Sequence, residues 1–254
     1  MRIVFKGRFF SSQRIWFEKF SSIEDVAAVE TTADSIEIQA NPIALNGKYL
    51  QCYQQESLLS KIDCVEDLMQ TFSSTTRNEI RRSEREGVEV RFYTSVDEAS
   101  GQEILQNMAE QYSNMYAEKG MHGVRLPIDE LRRYAENKSL LISVATIEGK
   151  PVVYHSYVVW KDRARLLHSC SEFRVADNAA KNAIGRANRF LHYKDMEYLS
   201  KSGVSSYDWG GVSSLEQPNG IDKFKMSFGG QPITYYNIRY AKSLKQRIYA
   251  KIRR

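Results

Sequence analysis

Leu140–Ser169 reads LLISVATIEGKPVVYHSYVVWKDRARLLHS, and its punctuation decides the fold. Apolar and β-branched residues run over Leu140–Ile147, Val152–Trp160 and Ala164–Ser169, separated by Glu148-Gly149-Lys150 and Lys161-Asp162. Three strands joined by two tight turns make an antiparallel meander. Just upstream, Ile104, Leu105, Met108, Tyr112, Met115 and Tyr116 repeat at helical spacing to about Lys119, and a shorter helix is expected around Asp129–Asn137. Further back, a helix over about Val65–Glu86 is interrupted near Ser73-Ser74, where a serine can cap a new turn. Gly87 ends it, and Val88–Tyr93 (VEVRFY) alternates as a strand should. Downstream, a helix from about Ala187 to Ser202 returns to a strand, Val204–Trp209, that ends in Gly210-Gly211. This order, α, β, α, α, β, β, β, α, β, predicts a mixed α/β layer around the meander. The first 65 residues, with strand-like Met1–Phe10, Ser35–Gln39 and Lys48–Gln54, read as part of a domain.

Composition narrows the function classes. A chain of 254 residues with 42% apolar content is an ordinary globular protein, without repeats or low-complexity stretches. No run approaches the roughly 18 apolar residues of a membrane span, and MRIVFKGRFF lacks the pattern of a signal peptide, so the expected location is the cytoplasm. Cys52, Cys64 and Cys170 form neither a CxxC nor a cluster with histidine, which indicates no disulfide framework and no metal site. The net charge of +5 is concentrated at one end. Seven basic residues and no acidic one lie from Thr234 to Arg254, leaving the rest at −2. This argues against DNA binding, which calls for a basic stripe across a folded domain. RNA binding through the tail, with Tyr235, Tyr236 and Tyr240 stacking bases, is the remaining nucleic-acid reading.

Several constellations could carry chemistry. Arg77, Arg81 and Arg85 stand at i, i+4 and i+8, a row of guanidinium forks suited to phosphate or carboxylate; alternatively, Glu79, Glu84 and Glu86 pair with them on a solvated face. Tyr207-Asp208-Trp209-Gly210-Gly211 places a carboxylate at a strand end before two glycines, either to meet a ligand or to cap a turn. In Gly220–Gly230 (GIDKFKMSFGG), Lys223 and Lys225 alternate with Phe224, Met226 and Phe228, so that a lysine could polarise a carbonyl oxygen. A turn at Lys161-Asp162 sets His155 opposite His168, and either histidine, or Glu172 nearby, is a candidate to accept a proton from an attacking amine. His122 and His192 have no supporting neighbours in the sequence. Asn182-Ala183-Ile184-Gly185-Arg186-Ala187 is expected to open the helix after the meander, offering backbone N–H groups to a pyrophosphate, unless it is an ordinary polar loop.

Taken in order, Arg77–Val88 (RNEIRRSEREGV), Ser143–Val153 (SVATIEGKPVV), Asn188–Glu197 (NRFLHYKDME), Tyr207–Val212 (YDWGGV) and Gly220–Gly230 resemble the FemAB-like branch of the GNAT superfamily. The resemblance covers roughly Asp63 to Tyr236. It implies a GNAT-like fold in which two parallel strands splay apart to admit the donor near Leu166–Ser171 and Ser205–Asp208. It also implies transfer of an acyl group from a thioester, or an aminoacyl group from tRNA, to an amine without a metal. Lys225 is then the first choice for a transition-state contact, with Asp208, Glu172 and His168 as its catalytic companions and Arg77, Arg81 and Tyr207 as substrate-binding residues. Asn182, Gly185, Arg186 and Ala187 take the place of the family's pyrophosphate loop. Asn182 stands where glutamine or arginine is usual, so the donor is acyl-CoA, an acyl-carrier protein or aminoacyl-tRNA.

The division expected from this is a partial N-terminal subdomain over residues 1–65, a transferase domain over 66–236 and a basic helix over 237–254. With so short an N-terminal part, the favoured acceptor is an amino sugar or another cell-envelope precursor, small or lipid-linked. The alternatives are a tRNA-dependent transferase and a non-catalytic module that holds an anionic lipid-linked intermediate. In the basic helix, Ile238, Leu244, Ile248 and Ile252 form an apolar stripe beside the cations, suited to an anionic membrane surface on the inner face; alternatively, Leu244 and Ile248 pack on the domain.

Overall fold

The computed structural model describes residues 1–172 and 177–252. In chain order its elements are β1 (Arg2–Lys6), β2 (Ser11–Trp16), α1 (Ile23–Ala27), β3 (Ser35–Asn41), β4 (Leu50–Lys61), α2 (Ser74–Arg85), β5 (Glu89–Tyr93), α3 (Ala99–Ala117), α4 (Ile128–Glu136), β6 (Leu140–Ile147), β7 (Lys150–Trp160), β8 (Arg163–Ser171), α5 (Asn178–Lys201), β9 (Ser206–Gly211), α6 (Gly220–Met226), β10 (Gln231–Ala241) and α7 (Leu244–Ile252). They belong to two compact units. One holds Met1–Ser57, Gly211–Asn219 and the chain from Pro232 on; the other holds Leu58–Gly210 and Gly220–Gln231.

In the second unit the meander stands as expected, with β6, β7 and β8 paired antiparallel in sequence. β5 adds to the free edge of β6 antiparallel, and β9 adds to β8 parallel, which makes the sheet mixed. The end of β4 follows β9, where Ile62 N donates to Ser205 O and Trp209 Nε1 to Ser60 Oγ. β6 is buried along nearly its whole length because helices cover both faces of the sheet. On one face Ile184, Ala187 and Leu191 of α5 pack on Ala145 and Val153. On the other, Tyr112 of α3 meets the His168 ring edge-on and Met108 O lies against Cys170 Sγ.

Local chemistry keeps one expected boundary, moves another and changes the form of a third segment. The serine cap holds: Ser73 accepts from Thr76 N at the start of α2. α5, however, is capped by Asp177, which accepts from Ala180 N, so it begins at Asn178 rather than near Ala187. Asn182, Gly185, Arg186 and Ala187 are therefore inside the helix and do not open it; its unpaired first-turn N–H groups belong to residues just after Asp177. Gly220–Met226 is helical, although its alternation reads as extended. In a helix Phe224 and Phe228 share a side, and their rings lie 5.4 Å apart, whereas Lys223 is exposed and Lys225 half-buried.

The hairpin turn is also where the sequence put it, with Trp160 opposite Arg163. Yet His155 faces Ser169, and His168 faces Ser156. The cause is a bulge: Tyr157 pairs with Leu166 while Ser156 pairs with His168, so Leu167 is an extra residue that shifts the register by one. The expected pairing of the two histidines is lost.

The first unit orders its strands β1-β2-β3-β10 and then the start of β4, with β2 and β3 parallel and the pairs β1–β2 and β3–β10 antiparallel. Ile15, Ile36, Ile38, Leu50 and Ile238 lie in its core, and Ser22 with Asp25 closes a capping box on α1. Ile238 is thus a buried strand residue rather than part of the tail helix. Leu244, Ile248 and Ile252 are 73%, 51% and 78% exposed, while Gln246 is buried beneath α7. Arg253 and Arg254, two of the seven basic residues, lie outside the described residues. Among the described residues no helix is long and apolar enough to cross a membrane.

Candidate active site

The site begins where β8 and β9 part. Among the described residues they pair at Arg163↔Ser206, Ala164↔Tyr207 and Arg165↔Asp208, while β8 runs on to Ser171. Asp208 sits at that last pair, fully buried, and accepts from Arg163 Nη2 at 2.5 Å and Arg165 Nη1 at 3.2 Å. Burial alone would raise its pKa. The guanidiniums of Arg165 and Arg163 and the Gly210 N–H outweigh that and hold the carboxyl below its usual range. The bond from Gly210 N also realises the turn-capping reading. Gly210 itself has φ +72, and a Cβ there would stand 3.2 Å from Leu166 O, so glycine is what the divergence of the two strands requires. Lys225 belongs to the same charged group: burial lowers its pKa, Asp222 and Asp208 oppose that, and Arg165 reinforces it.

A pocket of about 320 Å³ lies at the end of β8, lined by Ser171, by Met115 and Lys119 from the end of α3 and just beyond it, by Ile184, Gly185 and Asn188 of α5, and by Ile221 and Phe224 of α6. Behind Asn188 is a buried hydrogen-bonded network that the sequence reading missed. Asn188, His192 and Asp195 stand at i, i+4 and i+7 on the sheet-facing side of α5, and His155 and Tyr157 of β7 point at them. His155 Nε2 is 2.8 Å from Asn188 Oδ1, and its Nδ1 is 2.7 Å from Asp195 Oδ2. Tyr157 OH donates to the same carboxylate oxygen at 2.5 Å. Its oxygen is then left to accept from Tyr207 OH at 2.8 Å, whose oxygen accepts from His192 Nδ1 at 2.7 Å.

Asp195 can only accept, so the direction of every proton in this chain follows from it. His192 carries its proton on Nδ1 and is kept neutral by burial and by the nearby His155, Lys225 and Arg189 charges. Burial, with the Asp195 charge, pushes both tyrosines well above their usual pKa. The His155 ring sits between Asp195 and Asn188, with one ring nitrogen at hydrogen-bond distance from each. Asn188, whose Oδ1 faces His155, is also one of the residues that line the pocket.

The other expected site residues are distributed differently. Tyr207 is in the network. His168 lies on the α3 side of the sheet, 2.8 Å from Ser156 Oγ, with burial lowering its pKa to about 4. Glu172 is paired to Lys150 at 2.8 Å. Arg77 Nη1 donates to Phe72 O, and Arg81 and Arg85 are exposed without an ion pair among the described residues. Of the glutamates expected to pair with the arginines of this helix, Glu86 does so with Arg82, alongside the row, and also reaches Arg186, while Glu79 pairs with Arg189.

His155, His192 and Asp195 also form the one metal-capable group of three among the described residues, with ligand atoms within 4.8 Å of one another. Ligands about 2.1 Å from a tetrahedral ion stand about 3.4 Å apart, and both Nδ1 atoms here are committed to hydrogen bonds, so the donor set suits the network better than an ion.

Comparison with curated protein sequences finds no match. Among solved structures, FemX superposes with a TM-score of 0.66 at 13% identity over 100% of this chain and 86% of its own. The C-terminal domain of an Agrobacterium fabrum protein assigned as a lysylphosphatidylglycerol synthetase gives 0.56 at 13% identity over 99% and 83%. L-PGS from Bacillus licheniformis gives 0.52 at 12% identity over 85% and 71%. At such identities these likenesses speak for the fold. The sequence itself carries the family: residues 71–226 match the acetyltransferase (GNAT) domain, and the chain belongs to that family.

Proposed function

We propose that the chain is an N-acyltransferase moving an acyl group from acyl-CoA to a primary amine of an amino sugar or another cell-envelope precursor. The observation that supports this most is the opening between β8 and β9, with a pocket at the end of β8 lined by an amide that the buried His155–Asp195 pair holds in place. A neutral amine attacks the thioester carbonyl, the C–N bond forms, and charge moves to the carbonyl oxygen. Collapse breaks the C–S bond, and the proton lost by the nitrogen balances the one gained by the thiolate. Asn188 Nδ2 is the donor to the developing oxyanion, and because His155 and Asp195 fix its orientation beforehand little reorganisation is needed. Lys225 contacts charge on the β9 side, and Asp208 acts with Arg163 and Arg165 to keep the strands parted rather than to move protons. Of the four residues expected to hold the donor, Gly185 meets it directly, since it lines the pocket.

Thiol release from acyl-CoA, measured with a panel of amino sugars, tests this. Turnover with any of them supports it. Consumption of aminoacyl-tRNA in place of acyl-CoA would move the donor to the tRNA-dependent class, and no binding of either donor would reduce the protein to a binding module.

A further inference from the structure

The first unit carries a surface that the transfer chemistry does not use. α7 buries Gln246 and rests Tyr249 against Phe10, with ring centroids 5.0 Å apart. Leu244, Ile248 and Ile252, at i, i+4 and i+8, therefore point away from the unit into solvent. Lys245 and Lys251 flank this stripe. Lys245 Nζ donates to the Phe9 carbonyl, which brings a further exposed apolar side chain, Phe9 at 67%, and the cation Arg8 beside the helix.

Under the same helix is a cavity of about 670 Å³ lined by Lys48, Arg239 and Lys251 together with Tyr49, Tyr249 and Gln246. Three apolar side chains exposed along one helix are unfavourable in water and favourable in a bilayer interface, and the cations beside them match an anionic headgroup layer.

We infer that α7 and the Phe9 turn form a docking surface for an anionic membrane, with the apolar stripe entering the acyl boundary and the cavity beneath receiving a lipid phosphate on Lys48, Arg239 and Lys251. The charge supports this occupant over a protein groove, since from Thr234 on the chain holds no acidic residue. The arrangement brings the protein to acceptors at a membrane, and it stands independently of the acyl-transfer reading.

The test is flotation of the full chain with vesicles of phosphatidylcholine alone and with vesicles that also contain anionic phosphatidylglycerol, whose negative surface potential attracts Lys and Arg. Binding to the acidic vesicles at least about tenfold above the neutral ones is expected, weakening as salt is raised. The variant Leu244→Ser, Ile248→Ser, Ile252→Ser alters only solvent-facing groups and should lose that binding with an unchanged melting temperature. A second variant, Lys48→Gln, Arg239→Gln, Lys251→Gln, should lose the preference for acidic lipid. Equal flotation on both vesicle types, no flotation, or full binding by the serine variant would overturn the inference. Thiol release from acyl-CoA with a water-soluble amine should stay at the parent level in both variants, so failure of this surface and failure of the transferase reading are separately visible.

Discussion

α2 and α5 each carry a polar row at helical spacing, and they differ in what surrounds it. On α2, Arg81 and Arg85 stand in solvent, where a charge is well hydrated and its placement is weakly constrained. On α5, Asn188, His192 and Asp195 face the sheet, where each polar atom must find a partner or cost several times more. A polar side chain is informative in proportion to the water it has given up. The arginine row is conspicuous in the sequence, but the α5 row is the one whose geometry is fixed.

The largest expected effect that follows is from Asp195→Ala, which leaves the His155 ring and the Tyr157 hydroxyl without their buried partner. A loss of about 3–5 kcal/mol in urea unfolding is expected. A loss no larger than that of a surface change would erase the contrast between the two helices. Asn188→Ala sharpens it from the other side. Turnover should fall about 10²–10³-fold as the oxyanion donor disappears, with little change in the unfolding midpoint because Asn188 is only half-buried. Unfolding as severe as that of Asp195→Ala would make Asn188 a structural member of the network instead.

A smaller effect is expected on the opposite face of the sheet. His168 has a pKa of about 4 in the fold against 6.5 as a free side chain, so between those values the unfolded chain binds a proton that the folded one refuses. Stability should therefore fall as pH drops through that window, by about 2–3 kcal/mol, and His168→Gln should flatten the profile. The smallest effect belongs to α2. Arg81→Ala should leave stability within about 0.5 kcal/mol. If the row does bind an anionic acceptor, only that acceptor's KM should rise, and high salt should abolish the difference. An Arg81→Ala enzyme with unchanged KM would leave α2 as a solvated face.

Most of the fold was legible because its strands are short apolar runs and its turns are marked by Glu148-Gly149 and Lys161-Asp162. What was not legible depended on single residues. The bulge at Leu167 has no marker in the sequence, since leucine is as ordinary in a regular strand as in a bulged one, and it alone separates His155 from His168. The start of α5 was misplaced because the polar and small residues around Asn182 read as a loop, although Asp177 was available as a cap. Asn188, His192 and Asp195 fall at i, i+4 and i+7 in the expected helix as in the observed one, so the polar line itself was in the sequence; what was not legible is that this face, otherwise made of Ile184, Leu191 and Leu199, meets His155 and Tyr157 of β7 and Tyr207 of β9.

The short ladder between β8 and β9 gives β8 two unlike edges. Toward β7 its backbone is paired from Arg163 to Ser171, but toward β9 no pair follows Arg165 among the described residues. Alternate residues of a strand send their amides to opposite edges. In deuterated water the amides of His168–Ser171, beyond the bulge, should therefore divide by parity, one set retaining its hydrogen for as long as the core holds, the other exchanging quickly. An occupant of the cleft that borrows those groups would be visible as a slowing of the second set alone.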